Sequence, residues 1–177
     1  MTFDDLQDGE SIFIDANILV YHFLGLSNDC KKFFERIHAH KIKAATASFL
    51  VSEAMHRLMI AEAIEHKLIS GTKALQKLRA HPEIVRQLRF PQQCVARIIS
   101  MKIGIAPLTD TLLKNSSAIR ERHGLLTNDS LLVATMNELR LTKLASMDDD
   151  FSRVIELDIY KPNDISATHS TPTGQPQ

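Results

Sequence analysis

Four carboxylates stand where a carboxylate is costly unless something answers its charge: Asp15, Glu53, Asp129 and Asp148. Asp15 ends the apolar run Ile12-Phe13-Ile14, and Asp148 follows Leu144-Ala145-Ser146-Met147. A carboxylate that closes a buried strand loses hydration unless it is paired, hydrogen-bonded or bound to a cation. Asp129 opens an apolar segment after Thr127-Asn128, and Glu53 sits among Phe49, Leu50, Val51, Ala54 and Met55. Each also has a plain structural reading. An Asp at a helix start satisfies free N–H groups of the first turn and complements the helix dipole. A Glu in the first turns of a helix is commonplace. Gathered into one pocket, the four would form an all-oxygen donor set suited to Mg²⁺ or Mn²⁺. Such an ion activates water for in-line attack and stabilises charge growing on phosphate oxygens.

Other chemistries fit less well. Glu35-x-x-His38 and Glu53-x-x-His56 have the helical spacing of di-iron ligands. A chain with this many Glu and His residues supplies such pairs by chance, and the strand-like segments near Ser11 and Lys143 oppose a four-helix bundle. Aspartyl-phosphate chemistry would favour Asp-x-Asp after the first strand, where this chain has Asn17. The six glycines are scattered and build no phosphate-cradling loop. There is no G-x-S-x-G elbow for a serine nucleophile.

The elements that must position the acids can be read from pattern. Residues 11–15 form a buried parallel strand. Residues 16–24 are helical, and Gly25 stops them. Ser27 caps a helix to about residue 40, with Phe33, Phe34 and Ile37 turned inward. Residues 43–46 give a second strand, and Ser48 caps a helix to residue 64 that carries Ser52-Glu53. A helical stretch starts at Ser70, breaks near His81-Pro82 and continues over 83–102 with Pro91 kinking or interrupting it. Residues 104–108 are a third strand; Thr109 or Asp110 caps the next helix and Gly124 ends it. A helix over 127–139, a strand over 143–146 and a fifth, edge strand over 154–160 complete the domain, residues 1–162. The tail, 163–177, is rich in Ser, Thr, Pro and Gln and reads as disordered. Strands alternating with helices imply a three-layer α/β/α domain with a short parallel sheet. Active sites of such sheets lie beyond the carboxyl ends of strands, where Asp15 and Asp148 both fall.

At 177 residues the chain fits one domain with a proper core. Cys30 and Cys94 suggest neither a disulfide framework nor a metal-ligand spacing, which fits a reducing cytoplasm. The first ten residues are acidic where a signal peptide would be basic and apolar, and no apolar run is long enough to span a bilayer. A net charge of zero excludes a uniformly basic coat for nucleic acid. The distribution is uneven. Between residues 67 and 102 eight basic residues face one acid, Glu83, whereas residues 129–158 are strongly acidic. A basic helical arm, residues 70–102, would attract a phosphate backbone, with Arg79, Arg86 and Arg89 as candidate contacts. The alternative is that these charges merely solvate helix faces or border a dimer or partner surface.

Four motifs in register carry a resemblance to the PIN-domain ribonuclease family, in its toxin-like branch. Ile14-Asp15-Ala16-Asn17-Ile18-Leu19 resembles the family's opening Asp-x-[Asn/Ser] motif, and Ser52-Glu53 matches its helical glutamate. Asp129, Leu132 and, one place early, Ala134 match Asp-x-x-[Leu/Ile]-x-x-Ala; Ser146, Asp148, Asp150 and Phe151 match [Thr/Ser]-x-Asp-x-Asp-Phe. The likeness spans about residues 11 to 162. It implies a metal-dependent endoribonuclease, with Asp15 and Asp129 as direct ligands of Mg²⁺ or Mn²⁺. Glu53 and Asp148 would bind through water, hold a second ion or orient the nucleophile. Asn17 and Ser146 would steady carboxylates or phosphate by hydrogen bonding. It also implies an RNA substrate, an antitoxin partner and a homodimer. The runner-up is a catalytically quiet PIN-like module that binds RNA or protein. The chain departs from the pattern in its long arm, and the acid triplet leaves open whether Asp149 or Asp150 joins the site.

Overall fold

Ile12, Phe13 and Ile14 are fully buried, as befits a strand paired on both sides and covered on both faces. In the computed structural model, which describes residues 1–165, they belong to β1 (Ser11–Ile14), the middle strand of an all-parallel sheet of order β3-β2-β1-β4-β5. Phe13 faces Ala45 of β2 (Lys43–Ala47) on one side and Leu144 of β4 (Lys143–Ala145) on the other. The edges are β3 (Gly104–Ala106) and β5 (Asp158–Tyr160). Four strands are shorter than their sequence patterns predict, β1 and β4 by a single residue and the two edges by more. Pro107 has no N–H for the ladder, so β3 stops at Ala106. Asp149–Arg153 fold as a 3₁₀ turn and the chain turns again before Asp158, so β5 starts there and not at Val154.

The helices are α1 (Ala16–Phe23), α2 (Asn28–His38), α3 (Ser48–Glu65), α4 (Ala74–Ala80), α5 (Pro82–Val85), α6 (Phe90–Ser100), α7 (Asp110–His123) and α8 (Thr127–Glu138). The chain steps from β1 outward to β2 and β3, then crosses back to β4 on the opposite side of β1. Right-handed crossovers place α1–α6 on one face and the α7–α8 pair on the other. Accordingly α1 packs on α2 and α3, α3 on α6, and α7 on α8. This is the three-layer fold expected. Because connections leave β1 and β4 in opposite directions, a crevice opens above their carboxyl ends.

The arm differs from its pattern. It is three helices, with residues 70–73 in a turn and Lys73 left-handed before α4 (φ 55°). Pro91 kinks nothing: it lies in the first turn of α6, where its missing N–H has no partner to lose. That N-terminus is capped from elsewhere. The Glu62 carboxylate on α3 accepts from the Arg89 N–H at 3.0 Å and the Phe90 N–H at 3.1 Å. Beneath the arm, Ala63, Ile69, Ala74, Leu78 and Leu88 form a small core of their own, while Cys94 and Ile98 of α6 join the main one.

Two further features concern stability. Asn163–Ile165, assigned by composition to a disordered tail, are packed; the remainder of that tail lies outside the described residues. The Asp164 carboxylate accepts from Ser27 Oγ and the Asn28 N–H, both at 2.6 Å, and from the Asp29 N–H at 3.2 Å, so it caps α2 jointly with Ser27. Asn163 N–H donates to Asp29, and Ile165 is buried. Composition cannot reveal a cap supplied from 135 residues away. On α1, His22 stacks on Phe34 with ring centroids 3.9 Å apart, and neither ring nitrogen has a hydrogen-bond partner in the protein. Burial first, and then the Arg97 guanidinium, which lies over the Phe23 ring, push His22 down to about 4.

Asp164→Ala should destabilise the fold by about 0.5–2 kcal/mol, the usual value of a helix N-cap, read from urea denaturation. An unchanged midpoint would mean the cap contributes nothing. His22 gives a pH dependence of definite sign. Unfolded, it takes a proton near 6.5, but in the folded state only near 4. At this residue the unfolded chain therefore binds more protons between those values, and the contribution of His22 to stability falls as pH drops through that window, opposite in sign to that of any acid raised by folding. The melting temperature of His22→Phe relative to the unmodified chain should rise steadily as pH falls from 6.5 to 4; a difference that stays constant over that range would show that His22 takes up no proton on unfolding.

Candidate metal centre

Each carboxylate reaches the crevice from a different element. Asp15 follows β1 and caps α1, its backbone N–H donating to Ala145 of β4 at 3.0 Å. Its side chain is buried and held on three sides. Oδ1 accepts from the Ala16 N–H at 2.6 Å; Oδ2 accepts from Asn17 Nδ2 at 2.6 Å and from Ser146 Oγ at 2.7 Å. Ser146 in turn accepts from the Asp148 N–H at 3.0 Å, and Asn17 Oδ1 accepts from the Met147 N–H at 3.3 Å. The segment after β4 is thus fastened to the residues after β1. Asn17 and Ser146 both act on Asp15.

Asp129 comes from the first turn of α8 and is half-buried. Asp148 caps the 3₁₀ turn after β4, accepting from the Asp150 N–H at 2.8 Å. One oxygen from each of Asp129, Asp148 and Asp150 lies within 4.8 Å of the other two. The triplet is therefore divided by its neighbours. Asp150 turns into the cluster, while Asp149 is exposed and paired with Lys161. Asp15 and Glu53 stand outside this tightest group. Glu53, on α3, is partly exposed; Asn128 Nδ2 donates to it at 3.3 Å and Arg57, one turn on, stands 4.0 Å away.

The electrostatics tie these acids into one field. Burial pushes the Asp15 carboxyl up to about 7, against the hydrogen bonds from Ser146 and Ala16, with the charges of Glu53 and Asp129 adding to the rise. Burial, then the charges of Asp148, Asp150 and Glu53, push Asp129 up to about 6 despite a backbone hydrogen bond from Leu126. Burial is the larger cause at both acids, and the like charges beside them add to it. An all-oxygen donor set in that condition suits a hard dication. No histidine joins the cluster among the described residues, and Glu35, His38 and His56 do not converge on it.

Other sequence-predicted contacts lie on the arm. Arg79 is on α4, Arg86 follows α5 and Arg89 precedes α6. All three are exposed, and none forms an ion pair among the described residues, although Arg86 lowers Glu83 at longer range. Sequence reasoning missed Arg57, Asn128 and Arg153 around the acids. Only Asn128 carried a signal, by adjoining Asp129.

Comparison with known proteins agrees with this geometry. The sequence profile of the PIN domain matches residues 12–157. Ribonuclease VapC2 of Methanocaldococcus jannaschii is 30% identical over 155 residues, covering 88% of this chain and 96% of that protein. Among solved structures, VapBC2 from Rickettsia felis, bound to a DNA fragment from their promoter, has a similar fold. The TM-score is 0.55 at 15% identity, covering 85% of this chain and 98% of the other. A toxin–antitoxin complex from Klebsiella pneumoniae gives a TM-score of 0.52 at 17% identity, covering 83% and 95%. With its central strand, its acids at the carboxyl end of the sheet and this span of similarity, the chain belongs to the PIN domain family.

Proposed function

We propose that this chain is a Mg²⁺- or Mn²⁺-dependent endoribonuclease, the toxin of a toxin–antitoxin pair. The observation that carries the reading is the convergence of Asp129, Asp148 and Asp150 beside the buried Asp15, in a field that raises both Asp15 and Asp129. Asp15, Glu53, Asp129 and Asp148 would hold the ion, with Asp150 as a fifth carboxylate. The ion would supply an activated water and stabilise charge developing on the phosphate. The chain's own residues do the rest. Ser146, Asn17 and the Ala16 N–H hold Asp15 in one orientation, and Asn128 and Arg57 hold Glu53. Arg79, Arg86 and Arg89 would bind the RNA backbone without touching the scissile bond. An antitoxin partner belongs to this reading, supported by the fold shared with a solved toxin–antitoxin complex. A homodimer belongs to the same reading. Buried free thiols at Cys30 and Cys94 suit a cytoplasmic setting, and no helix of the described residues is long and apolar enough to cross a membrane.

Without divalent ions, Asp129→Asn should raise the melting temperature at neutral pH, because it removes one of several mutually repelling charges. Relief of about 1 kcal/mol corresponds to roughly 2–4 °C in a chain of this size. Mn²⁺ should then stabilise the unmodified protein by mass action and the variant far less. An equal Mn²⁺ shift in both would place the ion elsewhere.

Cleavage of bulk tRNA and rRNA, with and without Mn²⁺, tests the activity itself. Asp15→Asn should reduce it by more than the roughly 10–100-fold typical of losing an outer-shell partner of a metal. Replacing Arg79, Arg86 and Arg89 with Ala should weaken RNA binding and flatten its salt dependence by about 2 in log–log slope, at roughly 0.7 per lost single-strand phosphate contact. Full activity in Asp15→Asn would overturn the proposed site. An inert unmodified protein that still binds RNA or a protein partner would favour the quiet module. An unchanged salt slope with an altered oligomeric state would make the arm an interface.

A further inference from the structure

We infer that Arg153 is a positioning residue for the metal centre, holding the Asp150 carboxylate in the acid cluster from outside it. The inference rests on the metal-binding reading above.

Asp150 needs such a restraint. It lies on a short 3₁₀ turn, and its side chain is 38% exposed. The charges of Asp129 and Asp148 repel it, and solvent is open to it, so an unrestrained side chain would swing away. Its neighbour does so: Lys161 draws Asp149 outward, and that carboxylate is 82% exposed. For Asp150 the opposing tether is Arg153. One guanidinium nitrogen, Nη2, stands 2.8 Å from Asp150 Oδ1, and the other, Nη1, donates to the Gly124 carbonyl at 3.0 Å.

The Gly124 carbonyl is a firm anchor. Gly124 closes α7 in the left-handed conformation (φ 65°), a backbone geometry that glycine adopts without strain. The same end of α7 grips the turn twice more. His123 Nδ1 lies 3.2 Å from the Arg153 carbonyl oxygen, and Arg122 pairs with Glu156 at 3.1 Å. Arg153 thus spans from a fixed carbonyl on α7 to a carboxylate of the cluster. A planar fork with two separated donors can satisfy both at once; a lysine ammonium is a single charge on a flexible stem. Fixing one carboxylate oxygen with a donor leaves the other to face the cation site, the arrangement by which outer partners orient metal ligands.

Arg153→Lys isolates geometry from charge. Mn²⁺ binding would be measured on the full chain by the paramagnetic resonance of the free ion, for the unmodified protein, Arg153→Lys, Asp150→Asn and the double variant. Thermal melts without metal would confirm that each is folded. Arg153→Lys should weaken Mn²⁺ binding about tenfold, the low end for loss of an outer-shell partner. Added to Asp150→Asn, it should weaken binding no further, since a residue acting through Asp150 has nothing left to position. Unchanged Mn²⁺ binding with a lowered melting temperature would make Arg153 a staple of the turn and overturn the inference. So would additive losses in the double variant. Failure of the underlying reading looks different: the unmodified protein would itself bind no Mn²⁺ in this crevice, and the inference would fall with it.

Discussion

Asp15 can be buried at the end of the central strand only where several donors meet it, and that requirement organises the molecule. The donors come from separate parts of the chain: the first N–H of α1, the amide of Asn17 and the hydroxyl of Ser146. The first two are local. Ser146 arrives only because β4 lies beside β1, on the side away from β2. A sheet that continued outward without reversing would leave the residues after β1 without that hydroxyl. The reversal also opens the crevice, so the same topological step that satisfies Asp15 creates the place where further acids can gather.

The acids that gather there are not equivalent. Three of them have cationic partners: Glu53 has Arg57 and Asp150 has Arg153, each about one turn further along its own segment, and Asp149 has Lys161. The two that burial pushes upward, Asp15 and Asp129, show no such pair among the described residues. Cations therefore answer the more exposed acids and leave the buried ones to the hydrogen bonds around them. That division is more specific than a run of acids. It leaves the demand for positive charge greatest at the buried acids. The zero net charge of the chain conceals this, because Lys and Arg elsewhere balance the sum without balancing the crevice.

What was legible in the sequence divides along physical lines. β1 and Asp15, the start of α8 at Thr127 and the Ser146–Asp148 segment were readable because burial on both faces and helix starts leave local patterns. The parts that were not readable depend on contacts between distant residues. Glu62 looks like any glutamate on an amphipathic helix, yet it caps α6 across 27 and 28 residues. Asp164 sits in a segment whose composition suggests no structure, yet it caps α2. The choice between Asp149 and Asp150 was undecidable by pattern, since it turns on Lys161 and Arg153. The sequence left open whether Pro91 kinks or interrupts its helix; the stretch is interrupted just ahead of it, between Val85 and Phe90, because a proline fits the first turn of a helix and not its interior. Only the position of the preceding turn distinguishes the two.

The packing of the arm bears on how binding and chemistry can be separated in one small domain. Seven basic residues against one acid could simply have been a flexible, solvated segment. Instead α3 supplies both a buried carboxylate that caps α6 and one wall of the small core under α4 and α5. Helix α3 also carries Glu53, about two and a half turns before Glu62. One helix therefore holds an acid of the crevice near its start and fixes the arm from its far half. Cations on a loose tether would contribute charge without direction. Exposed arginines on or flanking helices anchored to the helix that bears Glu53 keep a set geometry relative to the acids, so a backbone bound along the arm would meet the crevice in a defined register.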